Sequence, residues 1–96
     1  MKVSIVIGSK TDLDLAKASA EVLDSFEIKN TINVLSAHRM PEILQEHINE
    51  ALNSGTKIFI GIAGMAAHLA GNIAAHTSVP VIGVPGDGGP LNGFDA

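Results

Sequence analysis

VSIVIG, residues 3–8, is a nearly continuous apolar run that ends at a glycine. Such a run is typical of a strand that is buried on both faces of a parallel sheet. Residues 12–26 then change to the spacing of an amphipathic helix. The apolar positions predicted to face the core are Leu15, Ala18, Val22 and Phe26. The chain therefore opens as a strand followed by a helix.

The same alternation continues through the rest of the sequence. Residues 31–35, 58–62 and 80–84 have the composition of buried strands. Pro41 is predicted to begin a second helix and Gly55 to close it. The positions expected inward on that helix are Ile43, Leu44, Ile48, Ala51 and Leu52. Residues 66–76 are rich in alanine and predict a third helix that is buried nearly all round.

This order of elements predicts a single α/β domain over residues 1–96. Strands and helices that alternate favour a parallel sheet with helices on both faces. We expect a three-layer flavodoxin-like fold with strand order 2-1-3-4. No helical pattern follows the fourth strand, so one flank of the sheet is expected to lack its cover. We interpret the chain as a fragment or as a subunit that neighbours complete.

Composition excludes several classes of function. Six basic residues against ten acidic ones give a net charge of −4, which disfavours binding to nucleic acid. The absence of cysteine excludes disulfides and thiolate chemistry. No apolar run reaches the length of a membrane span, and the N-terminal residues lead straight into a strand pattern. We expect a cytoplasmic enzyme or binding domain.

Unusual polar and glycine residues follow each predicted strand. The four segments are GSKTD at 8–12, SAHR at 36–39, AGMAAH at 63–68 and GDGG at 86–89. In an open parallel sheet, ligands bind outside the carboxyl ends of the strands. The sequence therefore predicts that these segments meet at one edge and form a binding site.

The first segment has two interpretations. Ser9 and Thr11 lie where a helix begins, and free amides and hydroxyls at that place favour an anion such as phosphate. Asp12 could accept hydrogen bonds from ribose hydroxyls. Alternatively, Ser9-x-x-Asp12 and Thr11-x-x-Asp14 are capping boxes. Two overlapping boxes cannot both cap one helix, which leaves polar groups to spare.

His38-Arg39 is the most informative pair. A histidine titrates near neutrality and can carry a proton, and a guanidinium can hold phosphate or carboxylate. The alternative is a pair at a strand end that hydrogen-bonds to the backbone. The other histidines carry weaker signals: His47 is expected to be solvated and His76 to be structural at a helix end. No group of residues has the spacing of a metal site.

Four motifs, in order and in register, resemble the PurE family. They are Gly8-Ser9-x-x-Asp12, Ser36-Ala37-His38-Arg39-x-Pro41, Ala63-Gly64-x-Ala66-Ala67-His68-Leu69 and Pro80-Val81-Ile82-Gly83-Val84-Pro85. Members of this family are N5-carboxyaminoimidazole ribonucleotide mutases and related aminoimidazole ribonucleotide carboxylases. The resemblance runs from residue 3 to about residue 95, and the Ser-Ala-His-Arg stretch is similar to the mutase branch.

The resemblance implies a purine-biosynthesis mutase with His38 as its acid–base. The implied substrate-binding positions are Ser9, Thr11, Asp12, Ser36, Ala37, Arg39, Gly64, His68 and Leu69. It implies a small-molecule ribonucleotide substrate and self-association as an octamer. It implies no metal and no organic cofactor. It does not imply a nucleic acid or a membrane as a partner.

The sequence also departs from the family pattern. Met65 stands where the family has a second glycine, and Ala70 where it has proline. The family continues past residue 96 with another strand and C-terminal helices, so these are expected to be missing. Two alternatives stay open: an aminoimidazole ribonucleotide or pyridine-nucleotide carboxylase, and an inactive nucleotide-binding or assembly fragment.

Overall fold

A computed structural model describes residues 1–35, 41–64 and 68–86 of the chain. Its elements are β1 (Lys2–Ile7), a 3₁₀ turn (Lys10–Asp12), α1 (Leu13–Ser25), β2 (Lys29–Val34), α2 (Pro41–Asn53), β3 (Thr56–Ala63), α3 (Leu69–Ala74) and β4 (Val81–Pro85). The predicted alternation of strands and helices is confirmed.

All strand pairs in the sheet are parallel, and the strand order is β2-β1-β3-β4. One apolar cluster joins α1 to one face of the sheet, through Ala16 against Ile5, Ile7 and Ile62. The other cluster joins α2 and α3 to the opposite face. The predicted three-layer flavodoxin-like arrangement with order 2-1-3-4 is therefore confirmed.

The central strand β1 is buried on both faces, as its composition predicts. Ile5, Val6 and Ile7 have no exposed surface. Ile5 and Ile7 pack towards α1, while Val6 packs towards the side of α2 and α3. Removing this much apolar surface from water is the main favourable contribution to folding in such a small domain.

The predicted inward face of α1 is wrong. The fully buried residue is Ala16, and Leu13, Ala20 and Leu23 pack beside it. The predicted core residues are instead open to solvent, with Val22 58% and Phe26 72% exposed. The helix carries two apolar stripes. The stripe with alanine at its centre faces the sheet, because the bulky Ile5 and Ile7 leave little room beneath the helix.

On α2 the prediction holds for most positions. Leu44, Ile48 and Ala51 are buried in the core, and Leu52 packs against it. Ile43, also predicted inward, is 46% exposed, so that prediction is wrong. At about 100° per residue, Leu44, Ile48, Ala51 and Leu52 fall within one arc of the helix, and Ile43 lies outside it.

His47 is not the solvated side chain that the sequence suggests. The residue is half-buried, and its Nε2 atom is buried without a hydrogen-bond partner among the described residues. Burial lowers the pKa of His47, and nearby Lys2 lowers it further, while Glu50 opposes both. The imidazole is therefore held towards its neutral form.

Helix α3 is not buried nearly all round. Leu69 and Ile73 lie in the core, whereas Gly71, Asn72 and Ala74 are exposed. One stripe of α3 packs on the sheet. The abundance of alanine reflects the close approach of the helix to the sheet and not burial on all sides. His76 lies just beyond the helix, with its Nδ1 atom 2.8 Å from the carbonyl oxygen of Asn72. This contact agrees with the structural role predicted for His76 at a helix end.

Part of the sheet is open to solvent on the α1 side. Ile82 of β4 is 50% exposed. Val84, which lies on the same face of β4, packs only partly against the cluster under α1. This exposure agrees with the expectation of a flank without its cover. No helix in the described ranges is long and apolar enough to cross a membrane.

A buried polar pair joins β1 to the start of β3 and gives a test of the fold. Ser4 Oγ and Thr56 Oγ1 are 2.8 Å apart, and both side chains are almost fully buried. We expect Thr56→Val to lower the free energy of unfolding by about 1–3 kcal/mol, because the Ser4 hydroxyl loses its partner. The double variant Ser4→Ala/Thr56→Val should cost less than Thr56→Val alone. Urea unfolding measures both values, and a double variant that is less stable than the single one contradicts the assignment.

Candidate functional site

The strands end together at one edge of the sheet. In the register, Ile7 of β1 lies beside Val34 of β2 and Ile62 of β3. Ala63 at the end of β3 lies beside Pro85 at the end of β4. The segments that follow these strands therefore start from the same rim, which we define by Gly8, Leu35, Gly64 and Gly86.

Backbone hydrogen bonds tie the rim together beyond the strands. Gly8 N–H donates to Ile62 O at 3.1 Å, and Leu35 N–H donates to Ile7 O at 2.9 Å. Gly86 N–H donates to Ala63 O at 2.8 Å. These bonds extend the parallel ladder by one residue and hold the exits of neighbouring strands next to one another.

Ser9 and Thr11 place two exposed hydroxyls directly after β1. Their oxygens are 2.5 Å apart, and Ser9 Oγ also accepts from the backbone N–H of Thr11 at 3.3 Å. Ser9 thus caps the 3₁₀ turn, as the capping interpretation predicts. The bond between the hydroxyls uses one of their two hydrogens, so the other is free to donate to an anion.

Asp12 stands at the N-cap of α1, but its side chain makes no capping hydrogen bond to that helix. Its carboxylate interacts instead with the backbone of Ser9. Burial raises the pKa of Asp12, and a backbone hydrogen bond from Ser9 partly opposes that shift. The carboxylate lies beside Gly86, at the exit of β4.

His68 and Leu69 begin α3. The backbone of His68 has φ 56°, which is the left-handed region, and its ring is exposed. The carbonyl of His68 accepts from Asn72, through the backbone N–H at 3.0 Å and the side-chain amide at 3.1 Å. The Leu69 side chain is 3% exposed and belongs to the core. Only the backbone of Leu69 is left for a ligand.

Two glycines that the sequence reading did not single out set the position of α3. Gly61 of β3 and Gly83 of β4 are partners in the register. A Cβ atom added to either would lie 3.2–3.3 Å from Ala70 Cβ. The helix therefore approaches the sheet more closely than side chains on these strands would permit. Paired glycines in the middle of two strands are the signal that could have revealed this contact.

Several predicted site residues lie outside the described parts of the chain. They are Ser36, Ala37, His38 and Arg39 after β2. Residues 65–67 and 87–89, which belong to the polar and glycine segments after β3 and β4, also lie outside the described ranges. Leu35, immediately before the first group, is held at the rim by its bond to β1. Within the described ranges, no three acidic or histidine side chains are grouped so that they could hold a metal ion.

The raised pKa of Asp12 predicts a pH-dependent contribution to stability. For an acid whose pKa is higher in the folded state than in the unfolded state, stability falls as pH rises from the unfolded to the folded value. The ordinary value for Asp12 is 3.8, so the window starts there and extends upwards. We expect Asp12→Asn to gain stability relative to the wild type as pH rises through this window. Urea unfolding at a series of pH values measures the difference.

Glu21→Gln, which removes an exposed carboxylate from α1, controls for the loss of one charge. A difference between Asp12→Asn and wild type that stays constant with pH, or that changes in the opposite direction, contradicts the burial of Asp12.

Comparison with known proteins identifies a family that matches this chain. The model of the AIR carboxylase family matches residues 2–96. A protein of Aliivibrio fischeri named N5-carboxyaminoimidazole ribonucleotide mutase is 47% identical over 96 residues, which cover 100% of this chain and 60% of that protein. A probable N5-carboxyaminoimidazole ribonucleotide mutase of Methanobrevibacter smithii is 47% identical over 99% of this chain and 28% of its own length.

A phosphoribosylaminoimidazole carboxylase of Candida glabrata is 43% identical over 98% of this chain and 16% of its own length. The chain thus spans at most 60% of the length of these relatives. The family match covers almost every residue, and it includes every segment that follows a strand. The chain belongs to the AIR carboxylase family.

Proposed function

We propose that this chain forms the nucleotide-binding part of an N5-carboxyaminoimidazole ribonucleotide mutase. The observation that carries the proposal is the common rim. There, the exposed hydroxyls of Ser9 and Thr11 are followed by the carboxylate of Asp12, which makes no capping hydrogen bond to α1. A ribonucleotide offers a phosphate to the hydroxyls and ribose hydroxyls to the carboxylate. The names of relatives that are 47% identical support the same substrate.

Phosphate binding starts from the turn after β1. The hydroxyl hydrogen that the bond between Ser9 and Thr11 leaves free donates to a phosphate oxygen, and the N-terminus of α1 adds a favourable dipole for an anion. Arg39 supplies the positive charge, because a guanidinium holds phosphate through two parallel hydrogen bonds. The remaining proposed contacts come from Ser36, Ala37, Gly64, His68 and Leu69, largely through their backbone atoms.

The proposed reaction moves a carboxylate from nitrogen to carbon. The bond between the exocyclic nitrogen and the carboxylate carbon breaks and releases CO₂, and the nitrogen gains a proton. The ring carbon of the electron-rich aminoimidazole then attacks CO₂, a carbon–carbon bond forms, and that ring carbon loses its proton. His38 donates the proton that the nitrogen gains in the first step and accepts the proton that the ring carbon loses in the second, so that the reaction is a net isomerisation.

Confinement is the main demand that this reaction places on the protein. CO₂ is neutral and makes few strong contacts, so its capture depends on a closed site that keeps it near the ring carbon. Octameric self-association, which the resemblance implies, and a cytoplasmic location, which the composition favours, stay predictions.

Direct carboxylation of aminoimidazole ribonucleotide is the second candidate. The carboxylase name of the Candida glabrata relative favours it. The two functions differ in the source of CO₂, and incubation of the chain with each substrate separates them. Conversion of N5-carboxyaminoimidazole ribonucleotide without added bicarbonate supports the mutase. Conversion of aminoimidazole ribonucleotide only with bicarbonate supports the carboxylase, and binding without turnover supports an inactive nucleotide-binding module.

Two neighbouring substitutions test the proposed roles. We expect His38→Asn to abolish turnover while it leaves the affinity for 4-carboxy-5-aminoimidazole ribonucleotide within about tenfold, because the imidazole moves a proton and does not anchor the substrate.

Arg39→Ala should weaken binding by roughly 1.5–3 kcal/mol, the loss expected for a charged hydrogen bond. Calorimetry and a turnover assay measure both. Intact turnover in His38→Asn, or unchanged affinity in Arg39→Ala, removes that residue from the site.

A further inference from the structure

Gly86 is buried at the exit of β4 and touches two neighbouring segments of the rim. Its N–H donates to Ala63 O at 2.8 Å, which fixes its backbone against the end of β3. A Cβ atom added to Gly86 would lie 2.8 Å from Asp12 Oδ1 and 3.1 Å from the backbone nitrogen of Gly64. The space that a side chain would need at this position is therefore occupied, in part by the Asp12 carboxylate.

The groups around Gly86 differ in how easily they can move. The backbone of Ala63 is held in the parallel ladder with β4. The Asp12 carboxylate is the end of a rotatable side chain, which makes no capping bond to α1 and interacts with the backbone of Ser9 alone among the groups that affect its pKa. A methyl group at position 86 would therefore displace the carboxylate before it displaced the strand.

We propose that Gly86 is a positioning residue: because it has no side chain, the Asp12 carboxylate can lie against the exit of β4. What this carboxylate binds there, a ribose of the ribonucleotide substrate, rests on the proposed function. Gly86 itself contacts no reacting atom in this account. It acts through Asp12, so its effects should disappear when the Asp12 side chain is truncated.

A double-mutant cycle on stability tests the contact without any ligand. Gly86→Ala should lower the urea midpoint in the wild-type background, and the loss should be smaller when Asp12→Ala has removed the overlapping carboxylate. Should Gly86→Ala fail to fold, the double variant Asp12→Ala/Gly86→Ala should fold. Equal losses in both backgrounds, or a double variant that also fails to fold, overturn the proposal.

Gly71→Ala is the matched control, because a Cβ atom at Gly71 meets nothing within 4 Å. It makes the same substitution on α3, and it should not lower the midpoint. An NMR titration of the Asp12 carboxyl carbon adds a readout that general destabilisation would not change. The pKa of Asp12 should move towards its ordinary value in Gly86→Ala, as the carboxylate turns to solvent, and should keep its wild-type value in Gly71→Ala. An unchanged titration in Gly86→Ala overturns the proposal.

Ligand affinity separates this inference from the proposed function. Calorimetry with 4-carboxy-5-aminoimidazole ribonucleotide should give about tenfold weaker binding for Gly86→Ala and for Asp12→Ala, with little further loss in the double variant. Coupling in stability together with unchanged affinity would overturn the ribose role of Asp12 and leave the positioning by Gly86 intact. Weaker binding in Gly86→Ala that adds in full to that of Asp12→Ala would overturn the positioning.

Discussion

The parallel ladder that continues past the strand ends is the constraint on which the site depends. Gly8, Leu35 and Gly86 each donate a backbone hydrogen bond to the neighbouring strand, at 2.8–3.1 Å. A parallel register aligns the carboxyl ends of the strands, but it does not by itself hold the residues that follow. These bonds keep the exits of all four strands side by side. Residues that are far apart in sequence, such as Asp12 and Gly86, are thereby brought into contact.

The fold was predictable from the sequence because its strongest signals are local. The apolar run of β1, the helical spacing of the intervening segments and the glycines after the strands all agree with one topology, and such agreement is what specifies a fold. The face of α1 was not predictable in the same way. Its two apolar stripes have the same period, so the period alone does not indicate that the stripe of Ala16 packs on Ile5 and Ile7. His47 was misjudged because its helical position indicates a polar face, whereas its Nε2 atom is buried and Lys2 of β1 is near enough to affect its pKa.

The sequence predicts the edge of the sheet at which the candidate site lies, but it predicts few of the contacts within that site. Polar residues after each strand indicated the edge of the sheet where the strand exits meet. The overlapping capping boxes did not indicate which side chain would lack a capping bond, and in the structure Asp12 makes none to α1. The contacts of Gly86 join segments that are far apart in the chain, so no local pattern predicts them. The glycines in the middle of β3 and β4 are, in contrast, a signal for the close approach of α3. Small residues thus serve two purposes here. At Gly61 and Gly83 the absence of a side chain lets α3 lie close to the sheet, and at Gly86 it leaves room for the Asp12 carboxylate.

The most direct test of the account is where a ribonucleotide binds. Titration of the ¹⁵N-labelled chain with 4-carboxy-5-aminoimidazole ribonucleotide, followed by amide NMR shifts, maps the contact surface. The account predicts that among the described residues the largest changes fall on Gly8, Ser9, Thr11, Gly64 and Gly86. Changes centred instead on the opposite edge of the sheet, at Lys29, Thr56 and Val81 where β2, β3 and β4 begin, would contradict it.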